Sequence, residues 1–359
     1  MTIRTRPIKV VVVDDSALMR NLFADILNSQ PDIEVSGIAA DPYEAREVIK
    51  KVNPDVITLD IEMPKMDGLE FLERIMRLRP MPVIMLSSLT QAGADATMRA
   101  LELGALDCIA KTTSDSVANI EALSAELIAK VRAASTAKLR SPDARQADRA
   151  AVHSNVALAF KPERSKRDII AIGSSTGGVE ALMEVLISLP ENCPPITITQ
   201  HMPPKYTESF ARRLNGQCRI TVKEATNGEK LQPGTAYIAP GGRHLGVDRF
   251  GINYSAVVRD GDLVSGHRPS VDVLFDSVAK VASNRAVGVI LTGMGSDGSK
   301  GLKRMFDVGA YTIGESEETC VVYGMPKAAK IAGGVSVEMP LPQIAGRMLA
   351  ACYQTEPQV

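Results

Sequence analysis

The sequence predicts two α/β domains, each built on a largely parallel sheet and joined by a polar connector. Three observations carry this. At 359 residues the chain exceeds one ordinary domain. Short β-branched runs alternate with amphipathic stretches in both halves, as expected of parallel strands covered by helices on both faces. Between the halves, residues 133–167 lose clear periodicity.

In the first half "IKVVVV" leads to a helix from Ser16, and "IEVSGI" to a helix from Asp41 with Pro42 in its first turn, where the missing N–H costs nothing. "DVITLD", "PVIMLS" and "LDCIA" follow, each leading into helical periodicity, which gives five strand and helix pairs ending near residue 132. The connector is rich in alanine, serine and charge; eight Lys or Arg against three Asp or Glu give it +5. It reads as a solvated basic linker, partly helical at most. From Asp168, the runs "DIIAIG", "PITITQ", "RITVKE", "TAYIAP", "AVGVILTG" and "AYTIG" are strand-like, with helices expected from Val179, Tyr206, Ser270, Ser299 and Pro340. Close spacing from "RITVKE" to "FGINYS" adds an expected antiparallel piece. The expected domains are 1–132 and 168–359, with 133–167 between them.

A net charge of −1 argues against bulk binding to nucleic acid or membrane. No apolar stretch approaches the roughly 18 residues that span a bilayer, and "MTIRTRPIKV" lacks the apolar core and cleavage site of a signal peptide, so a cytoplasmic protein is expected. The five cysteines are widely spaced and never form CxxC, which argues against a disulfide framework or a structural zinc site.

In the first half the carboxyl ends of successive strands carry Asp14 and Asp15, then Asp60, then Ser87, with Lys111 after the fifth. Parallel strands present these ends side by side. Three carboxylates together call for a hard divalent cation, and Mg²⁺ suits a few carboxylates plus water. A hydroxyl and an ammonium at the same edge suit an arriving phosphoryl group. A helix cap explains Asp14 taken alone, but not the whole set. Residues 8 to about 130, with "VVVDDSALMRNL" and "LDIEMPKMDGLEFL", resemble a two-component response-regulator receiver domain. The resemblance implies a flavodoxin-like (βα)5 fold and Asp60 as phosphoacceptor, with a histidine kinase as phosphodonor. It further implies Mg²⁺ held by Asp15, Asp60 and the Glu62 carbonyl, with Asp14 acting through water, and Ser87 and Lys111 on the phosphoryl oxygens. The sequence departs from the family where Thr112 replaces the usual proline after the lysine.

In the second half "AIGSSTGG" turns from strand to helix. Alone, this turn reads as a helix cap before a nucleophile; it lacks the P-loop lysine, the dinucleotide spacing and the GxSxG elbow. Its partners raise the nucleophile reading. "PITITQ" ends at His201, and "AVGVILTG" is followed by "GMGSDGS" with Asp297. On neighbouring parallel strands, serine, histidine and aspartate emerge at one edge, as a triad needs. His244 and His267 remain rival bases, His153 in the linker a weaker one, and Asp262 and Asp272 remain rival acids.

The segments "AIGSSTGG", "TQHMPPKYTESFA", "YIAPGGRHL", "GHRPSVDVLFDSVA", "LTGMGSDGSKGL" and "ESEETCVVYGMPKAA" resemble the catalytic domain of the CheB family of chemotaxis protein-glutamate methylesterases. That resemblance implies a doubly wound, mostly parallel α/β serine esterase domain, with Ser175 as nucleophile, His201 as base and acid, and Asp297 as the orienting carboxylate. Met294 would support the oxyanion hole through its backbone, with Thr176 beside the nucleophile. It implies methyl-accepting chemoreceptors as substrates, methanol release, deamidation of certain receptor glutamines, and no cofactor for the esterase step. Domain order and linker add an expectation that the unphosphorylated receiver restricts access to the triad edge. Two other classes stay open on the residues alone: a nucleic-acid-binding output, supported only by the +5 linker, and a nucleotide-binding "SSTGG" turn.

Overall fold

In the computed structural model, which describes residues 6–111, 117–138 and 166–353, the valine run of β1 (Ile8–Val13) has Val10 to Val13 fully buried. β-branched side chains suit a pleated surface covered on both faces. Parallel strands β2 (Ile33–Ala39), β3 (Val56–Asp60), β4 (Val83–Ser88) and β5 (Asp107–Lys111) complete a sheet of order β2-β1-β3-β4-β5. The helices are α1 (Ala17–Asn28), α2 (Pro42–Val52), α3 (Gly68–Leu78), α4 (Gln91–Leu103) and α5 (Val117–Ala134). Side chains of Ser16, Asp41, Asp67 and Thr90 accept backbone N–H bonds at the starts of α1 to α4, satisfying amides that the helix itself leaves open. The five expected pairs are therefore present, and the order reverses at β1 and β3, which brings Asp14, Asp15 and Asp60 to the switch point.

The chain divides into two compact units, Met1–Leu139 and Arg140–Val359. In the second, the elements run β6 (Ile169–Ser174), α6 (Gly178–Ile187), β7 (Ile196–Gln200), α7 (Tyr206–Asn215), β8 (Thr221–Glu224), β9 (Thr235–Ile238), β10 (His244–Phe250) and β11 (Asn253–Arg259). They continue with α8 (Val271–Ala282), β12 (Ala286–Ile290), α9 (Ser299–Asp307), β13 (Tyr311–Glu315), α10 (Met325–Ile331), β14 (Val337–Met339) and α11 (Leu341–Tyr353). Seven strands form one parallel sheet of order β14-β13-β12-β6-β7-β9-β8.

The antiparallel piece is present, but "RITVKE" is not part of it. That run forms the parallel edge strand β8, and the hairpin is β10 with β11, whose Leu245, Val247, Tyr254 and Val258 share a core with Leu274, Phe275 and Val278 of α8. Burial of such side chains stabilises by roughly 1.5–3 kcal/mol each, so the hairpin fixes α8 against the sheet. Residues 139–165 of the expected connector, His153 among them, and Thr112 lie outside the described residues. Among the described residues no helix is long and apolar enough to cross a membrane.

Candidate active site

β6 lies between β12 and β7, so the loops leaving these three strands meet at one edge. The turn after β6 is tied to both neighbours. Ser175 N donates to Thr292 O beyond β12 (3.0 Å), and His201 N, just past β7, donates to Ser174 O (3.2 Å). Gly177 closes the turn at φ +77°, in the left-handed region where a side chain is strained, and α6 begins at the next residue. The two serines separate cleanly: Ser174 is fully buried and donates to Gln200 Oε1 (2.7 Å), whereas Ser175 is half-buried. Gly293 packs directly on Ser175: a Cβ at Gly293 would lie 2.8 Å from Ser175 Cβ. Met294, next in the chain, thus leaves the same contact, and the carbonyl of buried Thr176 accepts from Thr292 Oγ1 (3.0 Å).

His201 Nε2 lies 2.7 Å from Asp297 Oδ2. The carboxylate sits at the N-terminus of α8: Oδ2 accepts from Val271 N (2.7 Å), and Oδ1 accepts from Ser270 Oγ (2.8 Å) and Asp272 N (3.0 Å). Open amides and the helix dipole favour negative charge there. Burial works to raise the pKa of Asp297, but His201 and the α8 amides outweigh it and hold the carboxyl below its ordinary range. Asp297 therefore stays ionised, and the His201 ring is held with Nε2 toward it. The other ring nitrogen, Nδ1, is buried and makes no hydrogen bond among the described residues. His267 stacks on the same ring, with centroids 3.7 Å apart and planes within 10°, covering one face and leaving the nitrogen edge for proton transfer.

The rivals have other partners. His244 is buried with both nitrogens engaged: Nδ1 accepts from Ser270 N (3.2 Å) and Nε2 donates to Asp262 O (2.8 Å), which fixes a neutral tautomer in a structural tie. Asp262 is exposed and enters that tie through its carbonyl. Asp272 accepts from Gly301 N (2.7 Å) and Ser265 Oγ (3.0 Å), joining α8 to α9. Burial pushes the Cys108, Cys193 and Cys352 thiols up to about 12 and Cys218 to about 11, which removes them as nucleophiles near neutrality. Gln200, Ser270 and His267 at this edge were not singled out from sequence for the roles they occupy; "GHRPS" beside the expected start of α8 is the signal for the last two.

In the first unit, Asp14, Asp15 and Asp60 bring carboxylate oxygens within 4.8 Å of one another. Lys111 Nζ bridges Asp14 Oδ2 and Asp60 Oδ2, each at 2.7 Å. Burial pushes Asp60 up to about 6; Lys111 opposes this and Asp14 adds to it. For Lys111, burial disfavours the ammonium, but Asp14 and Asp60 outweigh it and keep its pKa above the ordinary lysine value. Three carboxylates at such spacing are a hard-oxygen donor set that fits Mg²⁺. Ser87 is buried at the end of β4 and donates to Gly93 O (3.0 Å) in α4. Glu62 is exposed, two residues beyond Asp60 in the loop before α3.

Residues 10–121 match the family profile of the response regulator receiver domain, and residues 170–348 that of the CheB methylesterase. A protein from Albidiferax ferrireducens called protein-glutamate methylesterase/protein-glutamine glutaminase 1 is 51% identical over 353 residues, spanning 97% of this chain and 95% of its own. One from Yersinia pestis, called protein-glutamate methylesterase/protein-glutamine glutaminase, is 54% identical over 343 residues, 96% of each chain. The crystal structure of the Thermotoga maritima CheB methylesterase catalytic domain is 40% identical and superposes with a TM-score of 0.50, covering 51% of this chain and 98% of that one. With such identity along nearly the whole length, the chain belongs to the family of CheB methylesterases that carry a response regulator receiver domain.

Proposed function

We propose that the chain is a phosphorylation-activated protein-glutamate methylesterase of chemotaxis adaptation, which hydrolyses glutamate methyl esters on chemoreceptors and deamidates specific receptor glutamines. The observation that carries the catalytic half is the arrangement at adjacent strand ends: half-buried Ser175 beside His201, whose Nε2 is 2.7 Å from Asp297. His201 Nδ1 takes the Ser175 proton as Oγ attacks the ester carbonyl carbon. The resulting imidazolium is stabilised by Asp297, which the α8 amides keep ionised. The backbone at Met294 would face the developing oxyanion, with Thr176 in support. His201 returns the proton to the leaving methoxide, methanol departs, and water activated by the same imidazole hydrolyses the acyl-enzyme to glutamate. A glutamine substrate changes the leaving group to ammonia and needs no other machinery. The residues described at this edge supply nucleophile, base and acid without recourse to a cofactor.

In the receiver, residues 1–132, Asp60 is the phosphoacceptor, with a histidine kinase as donor. Asp14, Asp15, Asp60 and the Glu62 carbonyl are the residues that would hold Mg²⁺, whose charge would offset that of the transferring phosphoryl group. Ser87 and Lys111 would contact the phosphoryl oxygens. Residues 133–167 connect to the esterase, residues 168–359, and the receptor substrates put the protein in the cytoplasm.

Methanol release from methylated receptor by the wild-type chain and Ser175→Ala tests the reading. The substitution is expected to cost roughly 10³-fold or more; an Ser175→Ala chain as active as wild type overturns it.

A further inference from the structure

We propose that Gln200 is a positioning residue that clamps the Ser175 turn to the His201 backbone, with Ser174 and Gly178 shaped to hold it. The inference rests on the serine-esterase reading above. Gln200 ends β7 and its side chain is buried. Its Oε1 accepts from Ser174 Oγ (2.7 Å), and its Nε2 donates to both Ser175 O (3.0 Å) and His201 O (3.2 Å). One amide thus uses both donors on the two residues that must exchange a proton. The carbonyls of Ser175 and His201, which can only accept, settle which way the amide faces: the NH₂ group turns to them, and Oε1 accepts from the Ser174 hydroxyl.

The packing leaves room for little else. A Cβ at Gly178 would lie 2.2 Å from Gln200 Oε1 and 2.7 Å from Ser174 Cβ, so the first residue of α6 is kept small where the amide passes. On its other side the turn hangs from Thr292, through Ser175 N to Thr292 O and Thr292 Oγ1 to Thr176 O. Those bonds fix the turn to β12 but do not reach His201. The backbone bond from His201 N to Ser174 O (3.2 Å) joins the two strand ends, Gln200 extends that link to Ser175 itself, and a displacement of about 1 Å between reacting groups costs about 100-fold. Loss of the clamp therefore lowers kcat. It leaves KM alone, because the amide is buried away from substrate, and leaves the acid limb of the pH profile alone, because the His201–Asp297 contact does not involve it.

The test uses the full chain, wild type and as Gln200→Leu and Ser174→Ala, with three readouts: methanol release from methylated receptor, the rate at which a small fluorophosphonate labels Ser175 by intact mass, and the melting temperature. Gln200→Leu is expected to lower kcat and the labelling rate together by about 10- to 100-fold, with KM changed by less than about two-fold. Ser174→Ala, which leaves Oε1 without its donor and loosens the amide, is expected to lose about five-fold in both rates. Wild-type kcat and labelling in a folded Gln200→Leu chain overturn the clamp, as does a loss confined to KM or to the melting temperature. If Gln200→Leu does not fold, Ser174→Ala decides, and wild-type rates there overturn it. A wild-type chain left unlabelled at Ser175 overturns the esterase reading and the clamp with it, whereas a labelled wild type beside an equally reactive Gln200→Leu chain overturns the clamp alone.

Discussion

Glu315, the last residue of β13, is fully buried behind the serine turn, where Oε2 accepts from Thr292 N (2.8 Å) and Oε1 from Thr319 Oγ1 (3.0 Å). Thr292 in turn holds Ser175 and Thr176. Burial pushes the Glu315 carboxyl from 4.5 up to about 7; the bonds from Thr292 and Thr319 oppose the rise, and the Glu184 carboxylate adds to it. The folded pKa lies above the unfolded one, so between about pH 4.5 and 7 the folded chain keeps a proton that the unfolded chain has released. Stability then falls as pH rises through that window, and above it an ionised carboxylate is buried at a cost. Glu315→Gln keeps an acceptor for Thr292 N without the charge. It is expected to flatten the stability profile between about pH 5 and 7 and to raise the denaturation midpoint at pH 8. Urea unfolding of both chains across that range checks it; a variant with the wild-type pH slope would place the linkage on another group.

At the scale of elements, the site depends on α8 lying close against β6, because the N-terminus of α8 carries the amides that bind Asp297. The approach is close: a Cβ at Gly173 would lie 2.2 Å from Val271 Cγ1. Gly173→Ala forces α8 away from the sheet or Val271 off its rotamer, at a cost of about 1–3 kcal/mol. It is expected to lower both the denaturation midpoint and kcat while leaving Ser175 in its turn, and an unchanged midpoint would show that the helix can move freely. Much of this scale was legible in the sequence. The strands that matter are β-branched runs, followed closely by Ser175, His201 and the glycine-rich turn of Asp297, and the α8 start announces itself by Ser270. The short pieces were not legible: β14 is three residues, and α10 is seven, too brief for either period to show. Gln200 escaped for a different reason. It reads as an ordinary strand-end residue, and its meaning comes from a serine 26 positions away that only the β6–β7 register brings alongside. The rival His244 could not be dismissed either until both its nitrogens were seen to be engaged.

At the scale of the whole molecule, regulation requires that phosphorylation change contacts that differ between two states of the receiver. The described contacts are poised for this. Lys111 spends its ammonium on Asp14 and Asp60, and Ser87 spends its hydroxyl on Gly93 O in α4. A phosphoryl group on Asp60 would carry about −1.5 to −2 of charge on three strong acceptor oxygens in place of the single charge of the carboxylate, a net gain of roughly one negative charge at that edge. It competes for both the ammonium and the hydroxyl, and drawing Ser87 away releases its bond to α4. The unmodified contacts thus favour one arrangement of the β4–α4 loop and the phosphorylated ones another, a differential of the kind that a population shift needs. With a small phosphodonor such as phosphoramidate and Mg²⁺, methanol release by the full chain is expected to rise roughly five- to 150-fold, the range of ordinary coupling free energies. Asp60→Asn removes the acceptor while keeping the size of the side chain, and its rate is expected not to respond. An equal rise in Asp60→Asn would mean that the phosphodonor acts elsewhere, and no rise in the wild type would leave the receiver without control of the esterase.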